Sequence, residues 1–373
     1  MGDVTWTRAW RATAFATATV AGLALVACGK TDKEASTMDS ATMKPARDSA
    51  ARTGPAQPDA QMQAVLDELG ALHGKPIETL TAAEARKQPT PTDAVKALLA
   101  KQGKPAAPPP GVTLTNRSVP GAAGNLPANI YTPTGAGPFP VIVYYHGGGW
   151  VIATKDVYDG GARALAMMAN AVVISADYRQ GPEHKFPAAH DDAVAVYEWA
   201  LKNASSLKGD PKRVALAGES AGGGLAVATA IAARDKKLQM PLAIVSVYPI
   251  AGSDTTTPSY VENATAKPLN RPMMSWFFDN YLRNAADRQD PRINLVAANL
   301  QGLPATTIIN AQIDPLRSDG EMLAQKLQAA GVTVTQKTYD GVTHEFFGMG
   351  AVHDKAKDAE GMAADALKKA FAQ

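Results

Sequence analysis

Between residues 62 and 72 the apolar side chains Met62, Val65, Leu66, Leu69 and Leu72 recur at helical spacing, which predicts an amphipathic helix. Thr81-Ala82-Ala83-Glu84 has the spacing of a capping box and predicts a short second helix. A third is expected to start at Thr92 or Asp93, with Val95, Leu98 and Leu99 on one face and Gly103 as its stop. The proline-rich link from Pro105 to Pro110 closes this helical stretch. The pattern then changes. Val112 to Val119 and Asn129 to Thr132 read as two strands joined by a turn through Gly121 and Gly124. A continuous apolar run follows at 141–145, and the stretches at 172–175, 214–217, 244–247 and 307–309 repeat that character, as expected of strands covered on both faces. Helical patterns at about 188–202, 220–234, 315–330 and 355–371 alternate with them. This alternation predicts an α/β protein with a mostly parallel, doubly wound sheet. Between Tyr248 and Thr306 the order is interrupted by an aromatic, helix-like cluster (Met273, Met274, Trp276, Phe277, Phe278, Tyr281, Leu282) that is too apolar for a surface loop. It reads as an insertion that, with the N-terminal helices, covers one end of the sheet.

The first part of the chain follows other rules. Arg8 and Arg11 precede a short uncharged stretch from Ala12 to Ala27, the arrangement of a secretory signal peptide over 1–27. Leu25-Val26-Ala27-Cys28 resembles the lipobox of bacterial lipoproteins, in which cleavage precedes a lipidated cysteine. On that reading Cys28 carries the acyl anchor and is the membrane contact. Gly29, where an Asp would signal inner-membrane retention, points to an exported protein on the periplasmic side of the outer membrane. Residues 28–58 are polar and read as a flexible tether, so the folded unit is expected over 59–373.

Composition narrows the function. The chain has 373 residues, 46% hydrophobic and 19% charged, with a net charge of +2 and no basic run, so nothing points to nucleic acid. A single cysteine excludes an intrachain disulfide and a cysteine metal cage. The six histidines (His73, His146, His184, His190, His344, His353) show no H-x-x-x-H or HExxH spacing, which disfavours a zinc hydrolase.

Gly218-Glu219-Ser220-Ala221-Gly222 matches G-x-S-x-G directly after a buried strand and directly before a helix. The bare pattern is weak; that context makes it a nucleophile elbow presenting Ser220. His146-Gly147-Gly148-Gly149-Trp150 follows the strongest strand. Consecutive glycines cost chain entropy and make sense where backbone N–H groups must face a ligand. Gly148 and Gly149, with Gly147 as the alternative register, are expected to form an oxyanion hole with Ala221. His146 reads as a loop brace. A serine hydroxyl needs a base, and the base an orienting carboxylate. Asp314 follows the last central strand, whereas Asp319 falls inside the next helix and Asp340 at a strand end. His344 lies in a post-strand loop; His353, among polar neighbours, is expected to be exposed. The order Ser220, Asp314, His344 predicts an acyl-transfer triad that needs neither metal nor organic cofactor.

Taken together, His146 to Trp150, Asp177-Tyr178-Arg179, Pro182-Glu183-His184, Phe186 to Ala189 with Asp191-Asp192, Gly218 to Gly223, Asp314 to Arg317, and His344 with Phe346-Phe347 resemble the bacterial hormone-sensitive-lipase-like (family IV) esterases. The resemblance runs from about residue 60 to the C-terminus. It implies an α/β-hydrolase fold with a helical cap from about 59–104 and 250–304, and hydrolysis of short to medium acyl esters. The same triad would serve an amidase or a lactonase, and a catalytically silent binding protein can share the fold. Three positions depart from the pattern. Glu219 stands where Asp is common, Gln180-Gly181 where an apolar pair is usual, and Glu345 where Gly is common. A carboxylate at 345 is expected to raise the pKa of His344. Asp177, Arg179 and Glu183 read as one buried structural network, and Trp150 with the 273–282 cluster as candidate pocket walls.

Overall fold

A computed structural model describes Gly2 and residues 56–105 and 108–373. The expected signal peptide, Cys28 and nearly all of the tether lie outside the described residues.

Eight strands form one sheet: β1 (Val112–Gly121), β2 (Gly124–Pro133), β3 (Phe139–Tyr145), β4 (Val172–Ala176), β5 (Gly209–Glu219), β6 (Ile244–Val247), β7 (Thr306–Ile313) and β8 (Val334–Thr343), in the order β1-β2-β4-β3-β5-β6-β7-β8. β1–β2 is an antiparallel hairpin and β2–β4 is antiparallel; every other pair is parallel. Adjacent residues of the central strands face opposite cores. Val141, Val143 and Tyr145 pack with α5 (Ala188–Asn203), α6 (Ala221–Asp235) and α9 (Arg317–Ala329). Ile142 and Tyr144 pack with α4 (Asp159–Met168) and α10 (Asp354–Phe371). Both faces being covered explains the mostly apolar character of these strands. The expected fold class is the one observed.

The helical preface consists of α1 (Ala60–Ala71), α2 (Ala82–Ala85) and α3 (Pro91–Lys101). The capping box at Thr81 and Glu84 is present. The third helix begins earlier than expected: Thr90 is its N-cap, with Pro91 in the first turn and Asp93 completing a second capping box. Proline suits that position because its missing N–H would be unpaired there anyway. In the interruption, α7 (Pro258–Glu262) is followed by α8 (Arg271–Tyr281), which carries most of the aromatic cluster. Trp276 Nε1 donates to Leu80 O at 3.0 Å and Asn270 Nδ2 to Glu78 at 3.3 Å, so the two helical segments touch.

α4 was not foreseen; its Asp159-Gly160-Gly161 start hides the helical signal. His353 is 1% exposed, not solvent-facing. Its Nδ1 accepts from the Lys355 and Ala356 N–H groups at the start of α10, and its Nε2 donates to Asp59, the N-cap of α1. Such a cap stabilises a helix by about 1 kcal/mol.

Candidate active site

β5 ends at Glu219, and Ser220 turns the chain into α6 at φ 56° and ψ −120°. A non-glycine residue held there is strained, and such strain collects at functional sites. The flanking glycines are required sterically. A Cβ on Gly222 would lie 1.9 Å from the Tyr145 carbonyl, and one on Gly218 2.2 Å from the Gly222 carbonyl. The bend leaves Ser220 at the carboxyl edge of the sheet, 4% exposed, with its Oγ 3.0 Å from His344 Nε2. His344 Nδ1 is 2.7 Å from Asp314 Oδ2. The other Asp314 oxygen accepts the Leu316 N–H at 2.8 Å, which fixes the carboxylate plane. Ser220, His344 and Asp314, drawn from three loops, thus meet in one hydrogen-bonded run. Asp319 is elsewhere: buried in α9, it accepts the Ala251 and Gly252 N–H groups.

Burial alone would pull the His344 pKa down, but the adjacent Asp314 and Glu345 carboxylates reverse this and the net shift is upward. Glu345 Oε1 stands 3.7 Å from His344 Nε2 and accepts from Tyr158 Oη at 2.6 Å. Burial likewise raises Glu345. Behind the nucleophile, Glu219 is buried and accepts from the hydroxyls of Tyr144 and Tyr248. Its carboxyl is pushed well up, first by burial and then, against those two hydrogen bonds, by Glu345 and Glu360. The Tyr248 ring packs against His344 with centroids 4.5 Å apart.

The glycine loop after β3 lies beside Ser220: a Cβ on Gly147 would come within 3.1 Å of the serine Cβ. Gly148 and Gly149 have φ of +96° and +58°, and Cβ atoms there would strike Ile152 O at 2.1 Å and Phe277 at 2.3 Å. The Gly148 carbonyl accepts from Val151 and Ile152, while the N–H groups of Gly147, Gly148 and Gly149 have no protein acceptor among the described residues. Ala221 opens α6, where N–H groups are free by helix geometry. His146 braces the loop as expected, with its ring stacked on Tyr178 and Nδ1 2.8 Å from Gly147 O.

Above Ser220 and His344 lies a cavity of about 570 Å³ that both helical segments help to line. Met273, Met274 and Phe277 form part of its wall. Trp150 does not: it is 1% exposed and stacks on Tyr281 at 4.9 Å, so it belongs to the core. Asp177, Arg179 and Glu183 also differ from expectation, because they form separate links. Arg179 pairs with buried Asp192, Asp177 with Lys155, and half-exposed Glu183 with Arg86 of the preface. Arg86 and Tyr158 escaped the sequence reading; no local pattern reveals a contact between Tyr158 and Glu345 across 187 positions.

A family model described as the alpha/beta hydrolase fold matches residues 142–348. The carboxylesterase NlhH of Mycobacterium tuberculosis is 38% identical over 66% of this chain and 79% of its own length. The ethyl acetate hydrolase of Pseudomonas putida is 34% identical over 84% of this chain and 98% of its own. The structure of the hyperthermophilic esterase from the archaeon Pyrobaculum calidifontis superposes with a TM-score of 0.76 at 32% identity, covering 85% of this chain and 99% of that one.

Proposed function

Since the chain belongs to the α/β-hydrolase family, within its hormone-sensitive-lipase-like (family IV) group, and is a carboxylesterase, we propose that it works through Ser220 as nucleophile, His344 as general base and Asp314 as orienting acid. The observation that carries this reading is the hydrogen-bonded run from Ser220 Oγ to His344 at 3.0 Å and on to Asp314 at 2.7 Å, with Ser220 and His344 lining the cavity and Asp314 buried behind them. Asp314 sets the tautomer with Nδ1 protonated, leaving Nε2 to take the serine proton. The attacked carbonyl oxygen gains negative charge, which the free amides of Gly148, Gly149 and Ala221 receive, with Gly147 as the alternative register. Each such donor lowers the barrier by about 3 kcal/mol. His344 then protonates the departing alcohol, and water activated by the same imidazole hydrolyses the acyl-enzyme.

The segments 59–104 and 250–304 act as the cap of this site. A largely apolar cavity of about 570 Å³ suits acyl chains of short to medium length. Turnover of p-nitrophenyl esters from acetate to palmitate, by wild type and Ser220→Ala, tests both points. Activity is expected to peak below the long chains and to vanish in the variant; a palmitate optimum would contradict the length assignment. Equal turnover of a matched anilide would move the reading to an amidase. Cys28 is the proposed site of lipidation, anchoring the exported protein to the outer membrane. Metabolic palmitate label that is present in wild type and lost in Cys28→Ser supports it; label retained in the variant contradicts it.

A further inference from the structure

Nε2 of His344 is the atom that hands a proton to the departing alcohol, on the triad reading proposed above. A carboxylate 3.7 Å from that atom therefore borders the place where the alcohol leaves. Glu345 is such a carboxylate, and it also lines the cavity that holds Ser220. Tyr158 Oη donates to its Oε1; the other oxygen has no protein donor among the described residues. The backbone aims it deliberately: Glu345 sits at φ +70°, a left-handed conformation that disfavours a side chain. The same cavity shows a bias in its polar groups. The amide and guanidinium donors of Arg86, Gln88, Gln180 and Asn270 are committed to protein acceptors. The second carboxylate in its wall, Glu78, has one buried oxygen with no partner. Lys75 and Lys267 also border the cavity, but both are exposed. Apart from the amides of Gly148 and Gly149, which face the attacked carbonyl, and the two exposed lysines, what the cavity wall has to spare is carboxylate acceptors.

We propose that Glu345 makes the leaving-alcohol side of the site a subsite for a cationic group, so that the enzyme favours esters of amino alcohols over esters of neutral alkanols of the same shape. The carboxylate attracts the ammonium and accepts its N–H. Its neighbour Tyr158 holds it in place.

The test compares 2-(dimethylamino)ethyl butyrate, protonated at neutral pH, with 3-methylbutyl butyrate, which replaces the nitrogen by carbon on the same skeleton. The ratio of kcat/KM for the two is measured in the full-length protein and in Glu345→Gln and Glu345→Gly. Any effect on His344 basicity acts on both esters and cancels in the ratio. The Gly variant also adopts a positive φ freely, so it keeps the fold if the Gln variant does not. The ratio is expected to favour the ammonium ester in wild type and to fall by roughly tenfold in both variants, the scale of one partly screened charge contact. An unchanged ratio in the variants overturns the proposal. Loss of both activities in Ser220→Ala keeps that outcome separate from the triad itself; if Ser220→Ala still turns the esters over, the triad reading falls and this proposal with it.

Discussion

Arg86, in the helical preface, donates Nε to the carbonyl of Val151 at 2.8 Å, one residue beyond the glycine loop and its tryptophan. Its Nη2 also donates to Gly181 O at 2.6 Å, and Gly181 in turn donates its N–H to Trp150 O. One guanidinium thus clamps the loop that borders Ser220 from a distant part of the chain. Its ion pair with Glu183 is partly solvated and worth little, below about 1 kcal/mol. The two carbonyls are the part that matters. Arg86→Ala is expected to lower kcat/KM for p-nitrophenyl butyrate roughly tenfold, less than outright loss of an oxyanion donor. Glu183→Gln should change it little, and Arg86→Lys should not rescue, because an ammonium lacks the fork that spans both carbonyls. Wild-type rates in Arg86→Ala would remove the clamp from the account.

The upward shift of His344 has a direction in pH. Only neutral imidazole can take the serine proton, so kcat/KM should rise with pH through a midpoint above the ordinary histidine value of 6.5. Asp314 and Glu345 both contribute to that shift. Glu345→Gln removes one of the two charges and should move the acid limb to lower pH on an uncharged ester. A pH–rate profile of both proteins decides it; a limb that stays put or moves up contradicts the assignment.

Asp319 gives a stability prediction. Burial lifts its pKa to about 7, against the pull of the Ala251 and Gly252 N–H groups. A carboxyl raised above its unfolded value of 3.8 contributes stability that is complete below that value and is lost as pH climbs toward 7. Asp319→Asn does not titrate, so its unfolding free energy relative to wild type should improve as pH rises from about 4 to about 7. Denaturant melts across that range measure it; a constant difference would show that Asp319 does not titrate on folding.

The fold was largely legible because buried parallel strands write themselves as short, mostly apolar stretches, and β3 to β7 each contain one. Ser220 and Asp314 were legible because each sits just past such a strand, and His344 because it follows the last strand of the sheet, β8, in the chain order a triad requires. What escaped lacks a local signal. The Arg86–Val151 and Tyr158–Glu345 contacts depend on side-chain reach across the assembled molecule. His353 misled because its neighbours along the chain are polar, yet its ring is held between the start of α10 and Asp59, the N-cap of α1. Trp150 follows the glycine loop in sequence yet turns into the core at φ +60° to meet Tyr281. Adjacency along the chain did not place its side chain.

On the proposed mechanism the hydroxyl of Ser220 becomes covalently bonded to the acyl group. An ethyl p-nitrophenyl alkylphosphonate imitates the attacked ester and leaves a stable phosphonyl group on the nucleophile. Intact-mass and peptide mass spectrometry of the treated protein should find one adduct per chain, on the peptide containing Ser220. It should form slowly in His344→Ala and be absent from Ser220→Ala. An adduct on another side chain, or an unmodified Ser220 in protein whose esterase activity the reagent has abolished, would contradict the account.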